Sequence, residues 1–103
     1  MAREQFQNLT EPMYYILLAL TRECCGVDIM EMVSQISQGR VKVGPGTLYT
    51  LLAKFEEAKI IKQTKIEGRK RSYIITEKGM RLLRDEYDRL LILVNEGKTF
   101  LED

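Results

Sequence analysis

The residues with the chemistry to act are few and clustered. Arg69, Lys70 and Arg71 stand together at a Gly-containing break, with Lys42, Lys54, Lys62 and Lys65 not far away in the chain. Cationic groups at that density attract polyanions, because each one that meets a phosphate releases a condensed counterion. Histidine is absent, which removes Ser-His-Asp and Cys-His nucleophiles, imidazole metal ligands and an imidazole pH switch. No GxxxxGK phosphate loop, dinucleotide fingerprint or carboxylate pair at catalytic spacing occurs. The expectation is a protein that is not an enzyme and has no metal and no cofactor. Cys24 and Cys25 are adjacent, with neither CxxC nor zinc spacing. Adjacent thiolates could sense oxidants or share a soft ion, but a free cysteine is more often a small buried apolar residue, and a reducing compartment is the simpler reading.

The charge is distributed unevenly. Over the whole chain 16 basic residues face 15 acidic ones, a net of +1. Met1 to Gly39 carries a net of −3, Arg40 to Tyr73 a net of +6, and Ile74 to Asp103 a net of −2. A polyanion partner is therefore a property of the middle third alone. The bland alternative is that lysines such as Lys62 and Lys65 are solvated strand positions that discourage edge pairing.

Elements must position these groups, and 103 residues suffice for one continuous domain with one modest core. Thr10, Glu11 and Pro12 read as a helix start, giving a first helix from about Thr10 to Glu23. Its apolar residues, among them Tyr14, Ile16, Leu17 and Leu20, cover nearly the whole circumference and imply burial on more than one side. Asp28 and Glu31 resemble a capping box opening a second helix that stops at Gly39. Pro45 opens a third helix with Leu48, Leu51, Leu52 and Phe55 as its apolar stripe. Gly46, Thr50, Ala53 and Glu57 then fall on the opposite face, with Tyr49 and Lys54 on its flanks. Ile60 to Ile66 and Arg71 to Thr76, around Gly68, read as a two-stranded hairpin. Thr76 caps a last helix in which Met80, Leu83, Tyr87, Leu90 and Val94 recur at alternating steps of three and four.

The fold class expected is mainly α with a two-stranded β wing: a winged helix-turn-helix over residues 1–76 followed by a long C-terminal dimerisation helix over residues 77–103, in one continuous domain. A second helix, a turn, a third helix exposing small residues, and then a basic hairpin is the order of such a unit. On it, Lys42 and Lys54 fit phosphate contacts, or are solvated charges. Arg71, nearer the strand than Arg69 and Lys70, either contacts DNA or pairs with Glu67.

These residues resemble the PadR family of bacterial and archaeal transcriptional regulators in its short form. The resemblance covers roughly Leu9 to Leu93 and is carried by three segments in order. They are Cys25-Gly26-Val27-Asp28-Ile29, Gly44-Pro45-Gly46-Thr47-Leu48-Tyr49, and the run from Gly68 through Arg69, Lys70, Arg71, Ser72 and Tyr73 to Gly79. The resemblance implies a homodimeric repressor of transcription that places its third helix in the major groove of double-stranded DNA and its wing on the backbone or minor groove. Thr47, Tyr49 and Thr50 match the family's DNA-facing helix positions, and Arg69 and Lys70 its wing tip. Gly44 stands where the family usually has Ser, which removes a helix cap and a hydroxyl able to meet a phosphate. Cys25 and Val27 replace a His and an aromatic, and Thr50 a frequent proline.

The seam of Met80, Leu83, Tyr87, Leu90 and Val94, with Tyr14 on the saturated first helix, presents more apolar surface than a small domain leaves wet, so a homodimer interface is expected there. Family members that bind aromatic effectors near this interface leave a small-molecule effector open. Two other readings stand beside DNA regulation: a winged helix that binds an acidic protein surface, and a sensor acting through the seam or Cys24 and Cys25. The longest apolar run, Met13 to Leu20, is far short of the roughly 20 residues that span a bilayer. No secretory pattern precedes it, so a soluble cytoplasmic protein without membrane contact is expected.

Overall fold

In the computed structural model, which describes residues 8–102, four helices surround a small antiparallel sheet. The Thr10 hydroxyl accepts the Met13 N–H at 3.3 Å and Pro12 lies in the first turn, so α1 (Glu11–Ala19) begins where its residue types dictate. It ends earlier than the expected Glu23. The Thr21 hydroxyl donates to the Leu18 carbonyl at 2.8 Å, and the N–H groups of Leu20 and Thr21 reach back three residues, tightening the helix end. The chain then extends into β1 (Cys24–Cys25).

β1 adds a third strand to the expected two-stranded hairpin. It pairs antiparallel with β3 (Lys70–Ile75), Cys24 facing Tyr73 and Cys25 facing Ser72. β3 also pairs with β2 (Ile61–Glu67), giving the order β1-β3-β2. A register shift between Gln63 and Lys65 bulges β2, and Gly68, at φ +64°, turns the chain at the tip. Two residues are too short a run to announce a strand. The capping box is corrected too: α2 (Gly26–Ile36) starts at Gly26 with Cys25 as its N-cap, and Asp28 accepts from the Cys25 thiol at 3.4 Å. Gly39 ends this region as expected, at φ +80° with its N–H bonded to the Ser34 carbonyl at 2.7 Å.

α3 (Pro45–Glu57) buries Leu48, Leu51, Leu52 and Phe55. α4 (Glu77–Leu101) starts under the Thr76 hydroxyl, which accepts the Gly79 N–H at 3.1 Å. A β-carbon at Gly79 would run into the Ile60 carbonyl and the Ile75 side chain, so only glycine lets α4 cross the sheet this closely. The core unites Ile16, Leu17 and Leu20 of the α1 region, Ile29 and Val33, the α3 stripe, Ile60, Ile61, Tyr73 and Ile75. α4 buries only Gly79, Leu82, Leu83 and Glu86 in it. Beyond them Leu91, Ile92, Leu93, Val94, Phe100 and Leu101 are exposed, on a body measuring 55 × 33 × 21 Å. No helix of the described residues is long and apolar enough to cross a membrane.

Candidate nucleic-acid interface

The Leu48, Leu51, Leu52, Phe55 stripe seats α3 against the core, and helical geometry then turns Gly46, Thr50, Ala53 and Glu57 outward. Tyr49, Ala53 and Glu56 form one flank, and this flank faces the wing. Together with Leu52, Arg69, Arg71 and Tyr73 they line a groove of about 280 Å³ between α3 and the β2–β3 hairpin. Thus Tyr49 of the third helix meets Arg69 and Arg71 of the wing. Lys70, opposite Glu67 in the hairpin register, is exposed beside the turn. Arg71 stands opposite Ile66 rather than Glu67.

Lys42 precedes α3 and is exposed, while Thr47 and Lys54, also exposed, occupy the flank of α3 away from the wing. The Thr50 hydroxyl donates to the Gly46 carbonyl at 2.9 Å, leaving its oxygen lone pairs toward solvent. Tyr49 is 47% exposed, and its hydroxyl lies so close to Gly26 that a β-carbon there would overlap it. Its ring is therefore both a wall of the groove and a brace between α3 and the start of α2. A side chain at Gly26 would displace the end of this half-exposed ring.

Electrostatics distinguish the groove's floor from its rim. Burial pushes the Tyr73 phenol up, the Glu56 carboxylate adds to that shift, the Arg71 guanidinium opposes it, and Tyr49 adds a smaller rise. Lower on the hairpin, Lys65 lies 3.6 Å from Glu23, whose carboxyl is held below its usual range by the Thr64 hydroxyl and then by Lys65. Lys65 thereby ties the bulge to the segment leading into β1. Arg40 makes a comparable tie in front of α3: its guanidinium donates to the Tyr15 hydroxyl at 2.8 Å and to both Glu11 oxygens at 3.4 Å, linking the turn to α1.

The seam residues lie outside this groove, between α1 and α4 and along α4. Tyr14, Met80, Leu83 and Tyr87 line a second groove of about 300 Å³ between α1 and α4, with Leu18, Thr21 and Arg84. Burial pushes the Tyr14 phenol up, and the neighbouring Tyr87 and Glu86 add to the shift. Leu83 is 5% exposed and belongs mostly to the chain's own core, so it offers the groove only a floor. Leu90 is half-buried and Val94 is 58% exposed, on the distal stretch of α4 beyond the groove. Between these positions sits a residue that sequence reasoning missed. Glu86, 5% exposed, accepts the Leu9 N–H at 3.2 Å and two hydrogen bonds from Arg89 at 2.8 and 2.7 Å. The Arg89 bonds hold its carboxyl below the usual range against the burial that would raise it. An acid between two apolar seam positions, with an arginine three residues on, was the available signal.

Among the described residues no group of three or more His, Cys, Asp or Glu side chains is placed to hold a metal ion. The Cys24 thiol is pushed up to about 11 by burial, then by Asp28 and Cys25, so it is protonated at neutral pH.

Comparisons with known proteins bear on this arrangement. The model of the transcriptional regulator PadR-like family matches residues 16–85. A transcriptional regulator from Clostridium thermocellum superposes with a TM-score of 0.72 at 18% identity, covering 89% of this chain and 90% of that one. A PadR family transcriptional regulator from Eggerthella lenta gives 0.66 at 21% identity, with 86% and 76% covered. RosR of H. salinarum gives 0.68 at 20% identity, with 94% and 82% covered. No curated protein matches the chain.

Proposed function

The chain belongs to the PadR-like transcriptional regulator family, and on that premise we propose that it is a homodimeric repressor that binds double-stranded DNA sequence-specifically. Residues 1–76 are the DNA-reading unit and residues 77–103 the dimerisation segment, with residues 1–7 and 103 lying outside the described residues. α3 enters the major groove with Thr47, Tyr49 and Thr50, and Lys42 and Lys54 contact phosphates beside it. Arg69, Lys70 and Arg71 of the wing contact the backbone or minor groove. The observation that carries this reading is the shared groove: the wing-side flank of α3 and the two wing arginines, 13 to 22 residues apart in the chain, form one surface.

Dimerisation uses Tyr14, Met80, Tyr87, Leu90 and Val94, with Leu83 as the floor beneath them. The distal stretch of α4 supports it, because six large apolar side chains there are exposed in the single chain. A two-fold dimer presents its third helices to half-sites about 34 Å apart. In this reading the dimer, seated through α3 and the wing, acts by occupying the promoter, and the regulation is repression.

The test is an anisotropy titration against DNA from upstream of its own gene and against a scrambled duplex, at low and near-physiological salt, with mass measured alongside. Tight, salt-sensitive binding that prefers the native fragment at two chains per site is the expected result. No binding to either duplex at low salt rejects the reading and turns the basic face toward an acidic protein partner. A second reading adds an effector. The α1–α4 groove is walled by Leu18, Met80 and two tyrosines with Arg84 at its edge, a shape suited to a small aromatic molecule, and release of DNA on adding one would show it. The redox version has less support, since a protonated Cys24 is a poor nucleophile.

A further inference from the structure

The C-terminal end of α3 and the first turn of α4 meet at one joint, residues 58–60 against residues 76–79. Ala58 closes α3, and Lys59 after it holds φ +62°, the left-handed conformation that usually falls to glycine at this place. A lysine keeps that conformation where its surroundings fix it. Here the Lys59 N–H donates to the Glu56 carbonyl and the Ile60 N–H to the Phe55 carbonyl, both at 2.9 Å. The carbonyls that follow find their donors at the start of α4. The Thr76 hydroxyl lies 2.7 Å from the Lys59 carbonyl and 2.9 Å from that of Ile60, which also accepts the Thr76 N–H at 2.9 Å. The Lys78 ammonium donates to the Ala58 carbonyl at 2.8 Å.

Thr76 and Gly79 serve α4 itself, as its cap and its crossing point over Ile60. Lys78 does not. A cation in the first turn of α4 stands at the positive end of that helix, where an acid such as Glu77 is favoured. Against the last carbonyls of α3 the same cation is well placed, because it meets the negative end of the neighbouring helix. Elsewhere α4 packs mainly on α1 and β3, so the bond from Lys78 to Ala58 stiffens the angle at which α3 meets α4.

We propose that Lys78 is a positioning residue that sets the spacing of the two DNA half-sites. This rests on the reading above, in which α4 joins two copies and α3 enters the major groove: the angle between these helices then decides how far apart, and at what rotation, the two copies of α3 stand. One base pair more or less between half-sites moves the second by about 3.4 Å and turns it by about 34°. DNA that must be twisted or bent to meet a fixed pair of helices binds more weakly. A stiff joint enforces that difference and a loosened one tolerates it. Lys78 touches no DNA in this role.

The experiment selects bound sequences from a random duplex pool with the full chain, then titrates duplexes whose half-sites stand at the selected spacing or one base pair closer or farther. The wild-type protein prefers the selected spacing by about tenfold. K78M keeps the stem and loses the ammonium, and its discrimination among spacings falls to about threefold or less. Its base preferences within each half-site, its dimer mass and its salt slope stay as in wild type. K78R, which restores a donor, restores the discrimination. K78M with wild-type discrimination overturns the proposal. So does an equal loss of affinity at all three spacings, which makes Lys78 a phosphate contact if the salt slope falls by about one and a residue of the fold alone if the thermal midpoint falls instead. A wild-type protein that enriches no sequence, or only lone half-sites, overturns the dimeric DNA-binding reading itself, before Lys78 is at issue.

Discussion

The two grooves of this molecule are similar in volume, about 280 and 300 Å³, and differ in the chemistry of their rims, charged in one and mainly apolar in the other. The groove between α3 and the wing is built from residues 49 to 73, close in the chain, and most of its rim side chains stand in water without helping to hold the fold. The groove between α1 and α4 joins Tyr14 to Tyr87 from far ends of the chain and has a mainly apolar rim; both grooves rest on core residues, Leu52 and Tyr73 in the first and Leu83 in the second. A charged surface can be edited one residue at a time because solvated side chains contribute little to stability. In the apolar groove Tyr14 and Leu18 also pack against the core, so changes at those two walls touch the fold as well. The same contrast divides α4, whose first turns are packed on the sheet while its distal half leaves Leu93, Val94 and Phe100 exposed.

Leu83→Ala gives the sharpest measure of that division. It should cost about 2–5 kcal/mol in denaturant unfolding, the usual loss for a large aliphatic side chain removed from a core. Val94→Ala, in the exposed half, should cost far less in a monomer and act mainly on the association constant. Equal losses of fold stability at the two positions would erase the boundary drawn within α4.

Glu86→Gln should follow, at about 1–3 kcal/mol for disturbing buried, charge-assisted hydrogen bonds. Its pH dependence has a definite sign. The folded carboxyl is held below its ordinary value by Arg89 and the Leu9 N–H, so its contribution is full above the unfolded value of about 4.3 and lost as pH falls through the folded one. The gap between wild type and Glu86→Gln should therefore narrow in unfolding curves taken at decreasing pH below about 4. A gap that widens there would contradict the assignment of the carboxylate as the bonded form.

Removing Arg69 and Lys70 together should have the smallest effect on folding, within about 0.5 kcal/mol, and a clear one on DNA. The slope of log affinity against log salt should fall by about 2, one for each phosphate that no longer meets a cation, with weakening shared by all sequences. An unchanged salt slope would move the backbone contacts away from the wing tip. A large loss of stability would show that the two grooves are less different than their composition suggests.

Much of the scaffold is legible in residue order because it depends on local rules. Thr10, Pro45 and Thr76 start helices where a cap or a fixed φ favours them, Gly39 stops one, and Gly68 turns the hairpin. The basic middle third is likewise a matter of counting. What resisted reading was short or nonlocal. β1 is two residues whose strand character comes from their pairing with Tyr73 and Ser72. α2 starts at Gly26 rather than at the apparent capping box because Cys25 is already extended in that strand.

Propensity, capping and periodicity act within a few residues, and they set the order of the four helices and the hairpin, the apolar stripes and the segregation of charge. Packing between elements is what brings Glu56 into a groove with Arg69 and Arg71, makes Gly79 a glycine to admit the Ile60 carbonyl, and buries Glu86 where it accepts the Leu9 N–H. Each of these joins groups at least 13 residues apart, where contact is set by how whole elements pack rather than by what their neighbours in the chain prefer.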